Sequence, residues 1–277
     1  MSAPTAVPYR LRDLRNALGV GWRVLSVKPG PSLILGVLLA LTGTALWLAL
    51  AYQGATPLGW VLTGGFLLIG PALLAGFFGL YRRWERGERL QVGDAFLGFT
   101  EAGGGFWAVA GFCAFLFLVW LTDAGVLYAF QVGASPLMEG ASGPWDWSSL
   151  SAGARTFALW ASPVGAFLAL GLYLVTAFSV PLLYERRSGV IPAVVASIRA
   201  VLGNLGPALA WALIICLGIV PGILIPLVLP ITLPVLAYGS FALYRRVFPL
   251  DAESEANVGR ASARPTGPRE IGEPWGP

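Results

Sequence analysis

Histidine is absent from the 277 residues. That excludes haem and copper ligation through imidazole, Ser-His-Asp and Cys-His relays, and the commonest zinc ligand. Cysteine is scarce: Cys113 and Cys216 are the only two, and each sits inside a long apolar stretch. A disulfide framework and a Cys-x-x-Cys metal site are therefore excluded, and both thiols read as small packing residues. Charge is thin as well, with Asp, Glu, Lys and Arg making up 12% of the chain, against roughly 25% in a soluble domain. What is present instead is apolar. Fully 56% of the residues are hydrophobic and the mean hydropathy is +0.73. At about 20 apolar residues per crossing, this suffices for about six or seven transmembrane helices.

The first eight residues, Met1 to Pro8, lack the charged start and small-residue cleavage site of a signal peptide and read as a frayed beginning. Next, Arg10, Arg12, Arg15, Arg23 and Lys28 are set against Leu11, Leu14, Leu18, Trp22 and Leu25. Apolar spacings of three and four predict an amphipathic helix lying on an anionic membrane surface. Six spans are expected at 32–52, 58–81, 105–128, 156–182, 207–225 and 228–247. The last two come from one apolar run that would be about 62 Å long as a single helix, against a hydrocarbon core of about 30 Å. It must turn back, either as a crossing pair or as a re-entrant hairpin. Three regions result: 1–31 as a cytoplasmic segment with its interfacial helix, 32–248 as the membrane domain, and 249–277 as a tail. The tail mixes charges of both signs with proline and almost nothing apolar, the composition of a disordered segment.

Orientation follows from the cations. Of the 18 Lys and Arg residues, only Arg155 falls in a connection on the far side; the others flank the first, second, fourth and sixth spans on one side or lie in the tail. The positive-inside rule puts that side, and both termini, in the cytoplasm. Cations spread over four membrane-flanking segments without a recognition motif also exclude a nucleic-acid partner, despite a net charge of +4. The bilayer is the expected partner, together with other membrane subunits. The long external connection carries Trp145 and Trp147, and Trp47, Trp60, Trp120 and Trp160 lie near outer span ends, where indole prefers the headgroup zone.

An internal repeat runs through the chain. Residues 71–83, PALLAGFFGLYRR, and 234–246, PVLAYGSFALYRR, agree at 8 of 13 positions, and the fourth span ends similarly with Pro181 before Tyr184, Glu185, Arg186 and Arg187. Helical stretches at 11–25, 88–101 and 188–203 precede the three hairpins. The pattern predicts three copies of one unit, an interfacial helix plus a transmembrane hairpin, all in one orientation. Inverted three-plus-three symmetry, common in secondary transporters, does not produce matching second and sixth spans.

Leu14-Arg15-Asn16-Ala17-Leu18, Gly21-Trp22-Arg23, Pro29, Pro31-Ser32-Leu33, Gly36 and Gly43 open the chain in a way that resembles a bacterial membrane family called domain of unknown function 2189. Gly70-Pro71 leading to Tyr81-Arg82-Arg83 with Glu85 and Gly87, Val119-Trp120, Ser179-Val180-Pro181-Leu182-Leu183 and Leu233-Pro234-Val235-Leu236 continue the likeness, which covers about 15–247. The resemblance implies a bacterial inner-membrane location and no established activity. Some relatives are labelled cytochrome oxidase subunits, and a chain without imidazole argues against a catalytic version of that label. The family often carries a histidine just after the last proline motif. Tyr238 or Gly239 stands there in this chain, so no metal or proton role attached to that histidine carries over.

Few residues offer chemistry. Asp123 is the one acidic residue expected within a span, close to its outer end, and the reading here is an ion pair with Arg155 joining the third and fourth spans. Pro71, Pro181, Pro221 and Pro234 free backbone carbonyls where a cavity could form between broken helices. Gly103-Gly104-Gly105 lacks the lysine of a phosphate loop. No cofactor, metal or enzymatic activity is expected. The fold expectation is an all-α, polytopic membrane protein of six transmembrane helices in three hairpins with cytoplasmic interfacial helices. Its role is expected to be a structural or accessory part of a membrane complex; the alternative is a transporter or lipid-handling protein with a cavity between the second, fourth and sixth spans.

Overall fold

An apolar run in hydrocarbon must satisfy every backbone N–H and C=O internally, and the helix does so within one segment. A computed structural model describes residues 4–52, 56–131, 133 and 151–250 of the chain. Among the described residues the regular elements are nine helices: α1 (Leu11–Val27), α2 (Pro29–Tyr52), α3 (Thr56–Glu85), α4 (Val92–Glu101), α5 (Gly104–Gln131), α6 (Ala152–Tyr184), α7 (Val190–Leu202), α8 (Leu205–Leu224) and α9 (Leu229–Val247). The order of short and long helices is the expected one. Most of the expected spans are extended at one or both ends, as α3 is through Arg82 and Arg83 to Glu85, whereas α8 stops at Leu224 and α9 begins at Leu229, just inside the expected bounds.

Among the described residues, four helices are long and apolar enough to cross a membrane, through Pro29–Leu46 of α2, α5, α6, and Leu205–Gly222 of α8. The remaining long helix near the end of the chain, α9, closes on Arg245 and Arg246 and is enclosed by protein over most of its length, from Leu229 to Val247. A helix clad by other helices needs less apolar surface than one facing lipid.

Each short helix packs on a long helix that ends at the charged face: α4 on α3, α7 on α6, and α1 on α9. The last pairing joins the beginning of the chain to its end. Val7 N–H donates to Val247 O at 2.8 Å, so the two ends of the described chain lie side by side. The tail from residue 251 and the connection at 134–150 with Trp145 and Trp147 lie outside the described residues.

Several helix contacts depend on glycine, two of them made by short helices. A Cβ on Gly21 of α1 would collide with the Val235 carbonyl of α9 and sit 3.1 Å from the Gly239 nitrogen. A Cβ on Gly98 of α4 would lie 2.5 Å from the Ala75 carbonyl of α3. At the α6–α7 contact a hydroxyl replaces the glycine. Ser197 Oγ accepts from Phe178 N–H at 3.1 Å and donates to Leu174 O at 2.9 Å, an insertion into the helical ladder of α6.

At the charged end of the bundle, aromatic rings converge. Phe78 packs against Tyr184 and Phe241 with ring centroids 5.5 and 4.7 Å away, and Tyr81 lies 4.9 Å from Phe241. In hydrocarbon, helix association relies on packing and hydrogen bonds rather than on expelling water, and these interlocked rings supply the packing.

Candidate functional site

Proline inside a helix removes a backbone donor and leaves the carbonyl one turn earlier without its partner. In α6, Pro181 does so, and in α3 Pro71 does. Both face a cavity of about 450 Å³ enclosed by α3, α6, α8 and α9, with Cys113 of α5 at its side. This lies within the range of small-molecule pockets, about 300–1,000 Å³. Its walls are α3, α6 and α9 together with α8. Pro234 is buried in α9 and Pro221 is exposed in α8, and neither lines the cavity. The structure thus brings two of the four expected prolines to one site.

Among the described residues, no charged side chain lines this cavity. Two of its polar groups are occupied: Thr176 Oγ1 donates to Leu172 O at 2.7 Å, and Tyr173 Oη donates to Ala208 O at 2.9 Å. Trp211 of α8 closes one wall, its ring against Gly239. Both cysteines line the space, Cys113 buried and Cys216 exposed. With neither ion nor paired carboxylates facing it, the site can hold an uncharged guest by dispersion and exclusion of lipid. Among the described residues, no group of three His, Cys, Asp or Glu side chains could hold a metal ion.

Below the cavity, at the charged end, lies an ionic cluster that sequence reasoning missed. Arg245 of α9 reaches Glu85 of α3 at 2.9 Å and Glu185, just past α6, at 2.7 Å. Glu185 also accepts from Tyr244 Oη at 2.7 Å. Arg187 donates to the Tyr244 hydroxyl at 3.0 Å and to Phe248 O at 2.8 Å. The ends of α3, α6 and α9 are thereby tied together. Burial raises the Glu85 carboxyl above its ordinary range, with Arg245 opposing and Glu185 assisting. Nearer the N-terminus, Tyr9 is pushed up to about 12 by burial.

Two further ties repeat one design. Asp13 accepts from the Arg10 N–H that precedes α1 at 2.8 Å, and Asp94 accepts from the Gln91 N–H that precedes α4 at 2.7 Å. Each aspartate also faces the second arginine of a Tyr-Arg-Arg motif: Asp13 faces Arg246 at 3.8 Å and Asp94 faces Arg83 at 3.3 Å. Only the arginines were read from sequence, as orientation signals. The missed signal was an aspartate three residues into the helical stretch before two of the hairpins.

The expected Asp123–Arg155 pair is not formed within 4 Å. Asp123 is exposed on α5, Arg155 is half-buried near the start of α6, and no salt bridge joins them. An aspartate close to the interface has water within reach and needs no partner to compensate its charge.

No curated protein and no solved structure matches the chain. Residues 60–185, which run from α3 through α6 and carry two of the cavity walls, match the model of a family described as predicted integral membrane protein (DUF2189).

Proposed function

We propose that this is a non-catalytic, six-span protein of a bacterial inner membrane, with both termini in the cytoplasm, that holds an uncharged lipid or small molecule in the cavity between α3, α6, α8 and α9. The carrying observation is the cavity itself: about 450 Å³, walled by helices interrupted at Pro71 and Pro181, with no charge in its lining. A purely structural subunit would have its interior filled to close packing, so this space favours the binding role over the accessory one. The adjacency of Val7 to Val247 and the cluster that joins Glu85, Glu185 and Arg245 support one shared face for the chain ends and the arginine motifs. On the positive-inside rule that face is cytoplasmic. Three units of short helix plus hairpin, each short helix seated on the preceding inward helix and α1 on α9, close the arrangement into a ring.

Native mass spectrometry of the gently extracted full chain tests this reading. A bound mass of lipid or small-molecule size is expected, and it should be lost when Ala169→Trp or Ala212→Phe fills the cavity. Protein that is free of bound mass under the mildest activation, or bound mass indifferent to both substitutions, would refute it.

A further inference from the structure

The cavity has a mouth. Leu170 of α6 and Leu213 of α8 both line it, yet they are 41% and 58% exposed on the outside of the molecule. Ala166 and Cys216 share this double position. Spacings of four on α6 and three on α8 put each pair on one helix face. Both helices are long and apolar enough to cross a membrane, so a slit between them opens onto hydrocarbon rather than water. From Ala166 to Pro181 the α6 wall runs about 22 Å along the helix axis, most of a core of about 30 Å. The space is therefore long and narrow as well as apolar.

We infer that the guest is one acyl chain of a bilayer lipid, which enters sideways between α6 and α8 past Leu170 and Leu213 while its headgroup stays outside. This rests on the binding role proposed above and adds the occupant and its route. The headgroup is excluded because the lining offers no charge to a phosphate or ammonium group, and burying an unpaired ion is costly. An acyl chain needs no desolvation, since it exchanges one hydrocarbon surrounding for another. Its shape suits a long slot.

The slit has a bar at one end. Tyr173 Oη to Ala208 O, at 2.9 Å, is the one side-chain hydrogen bond between α6 and α8 among the described residues. The wall that carries this tyrosine is built to yield. Pro163 and Pro181, which have no N–H to donate, bracket it, and the Ser197 hydroxyl accepts from Phe178 N–H and donates to Leu174 O within the same wall.

The test uses the full chain in phosphatidylcholine vesicles, with a trace of phosphatidylcholine bearing a diazirine either midway along one acyl chain or on the headgroup. Crosslinks are mapped by peptide mass spectrometry. The acyl probe is expected to label the peptides of Cys113 and Leu236, deep in the cavity, and the headgroup probe to leave them unlabelled. Leu213→Trp should cut the acyl labelling at least fivefold, and Leu213→Ala and Tyr173→Phe should each raise it about twofold. Leu159→Trp, on an exposed stretch of α6 outside the lining, should leave it unchanged. Floor labelling by the headgroup probe, or acyl labelling insensitive to Leu213, overturns the inference. If the floor is unlabelled while native mass spectrometry still finds a non-lipid mass sensitive to Ala169→Trp, the acyl route fails and the binding role stands. If neither signal is found, both fail.

Discussion

Gly19 and Gly21 are two residues apart on α1 and should respond to the same substitution with opposite sign. Alanine at either position gains helix propensity, about 1 kcal/mol relative to glycine. At Gly19 nothing lies within 4 Å of an added Cβ, so Gly19→Ala keeps that gain. At Gly21 the same methyl meets the Val235 carbonyl, with the Gly239 nitrogen 3.1 Å away. Both are backbone atoms of α9, so no side-chain rotation relieves the clash. The helix must withdraw by roughly 1 Å, loosening the buried contacts of Leu14, Ala17 and Val24; overpacking of this kind costs about 1–3 kcal/mol, occasionally more. With backbone on the receiving side the upper end applies, leaving Gly21→Ala about 2 kcal/mol less stable than the parent after the propensity gain. The two variants should therefore differ by about 3 kcal/mol. Reversible unfolding of the full chain in mixed detergent micelles, followed by far-UV circular dichroism, reads the difference directly. Equal stability of the two variants, or a loss at Gly19, would refute the docking of α1 on α9 and with it the closure of the chain's beginning against its end.

Glu185→Ala should cost about 1–3 kcal/mol, because it removes one of the two carboxylates on the Arg245 guanidinium and the acceptor of the Tyr244 hydroxyl, while Glu85 keeps its contact. Glu185→Ala combined with Arg245→Met should cost less than the sum of the two single changes in the same unfolding assay, because the two residues share one contact. Tyr238→Phe should cost about 1–3 kcal/mol by orphaning Ser32, whose hydroxyl lies 2.6 Å from the Tyr238 oxygen in a fully buried site. Adding Ser32→Ala should recover part of that loss, and a double variant no more stable than Tyr238→Phe would count against the pairing. Burial raises the Glu85 carboxyl in the folded chain, so the folded state holds its proton to higher pH than the unfolded state does. Its contribution is present at low pH and is lost as pH rises through the folded value. The melting temperature of the parent minus that of Glu85→Gln should fall as pH rises from about 4 to 7; a rising difference would reverse the assigned cause.

Local chemistry alone determined which segments of this protein are helical and which carry orientation signals. Apolar runs of 20 or so residues have one way to satisfy their backbones in hydrocarbon, and arginine clusters resist being carried across it. The short helices α1, α4 and α7 and the repeated Tyr-Arg-Arg ends were legible for that reason. Pro71 and Pro181 were legible as helix interruptions, but not as neighbours, since a proline announces a freed carbonyl without saying what faces it. Tertiary structure alone decided three things. It put Pro71 and Pro181 around one space and left Pro221 and Pro234 outside it. It placed Glu85 and Glu185 on either side of Arg245, residues separated by 160 and 60 positions in the chain. It also left Asp123 exposed on α5 with no salt bridge to Arg155 within 4 Å, where charge type alone had suggested a pair. Charge and hydropathy are properties of single residues, whereas a cavity or an ion cluster is a property of how helices meet. Here the meeting is governed by close approaches at Gly21 and Gly98 and by the Ser197 hydroxyl lodged in α6, contacts that no composition or periodicity encodes.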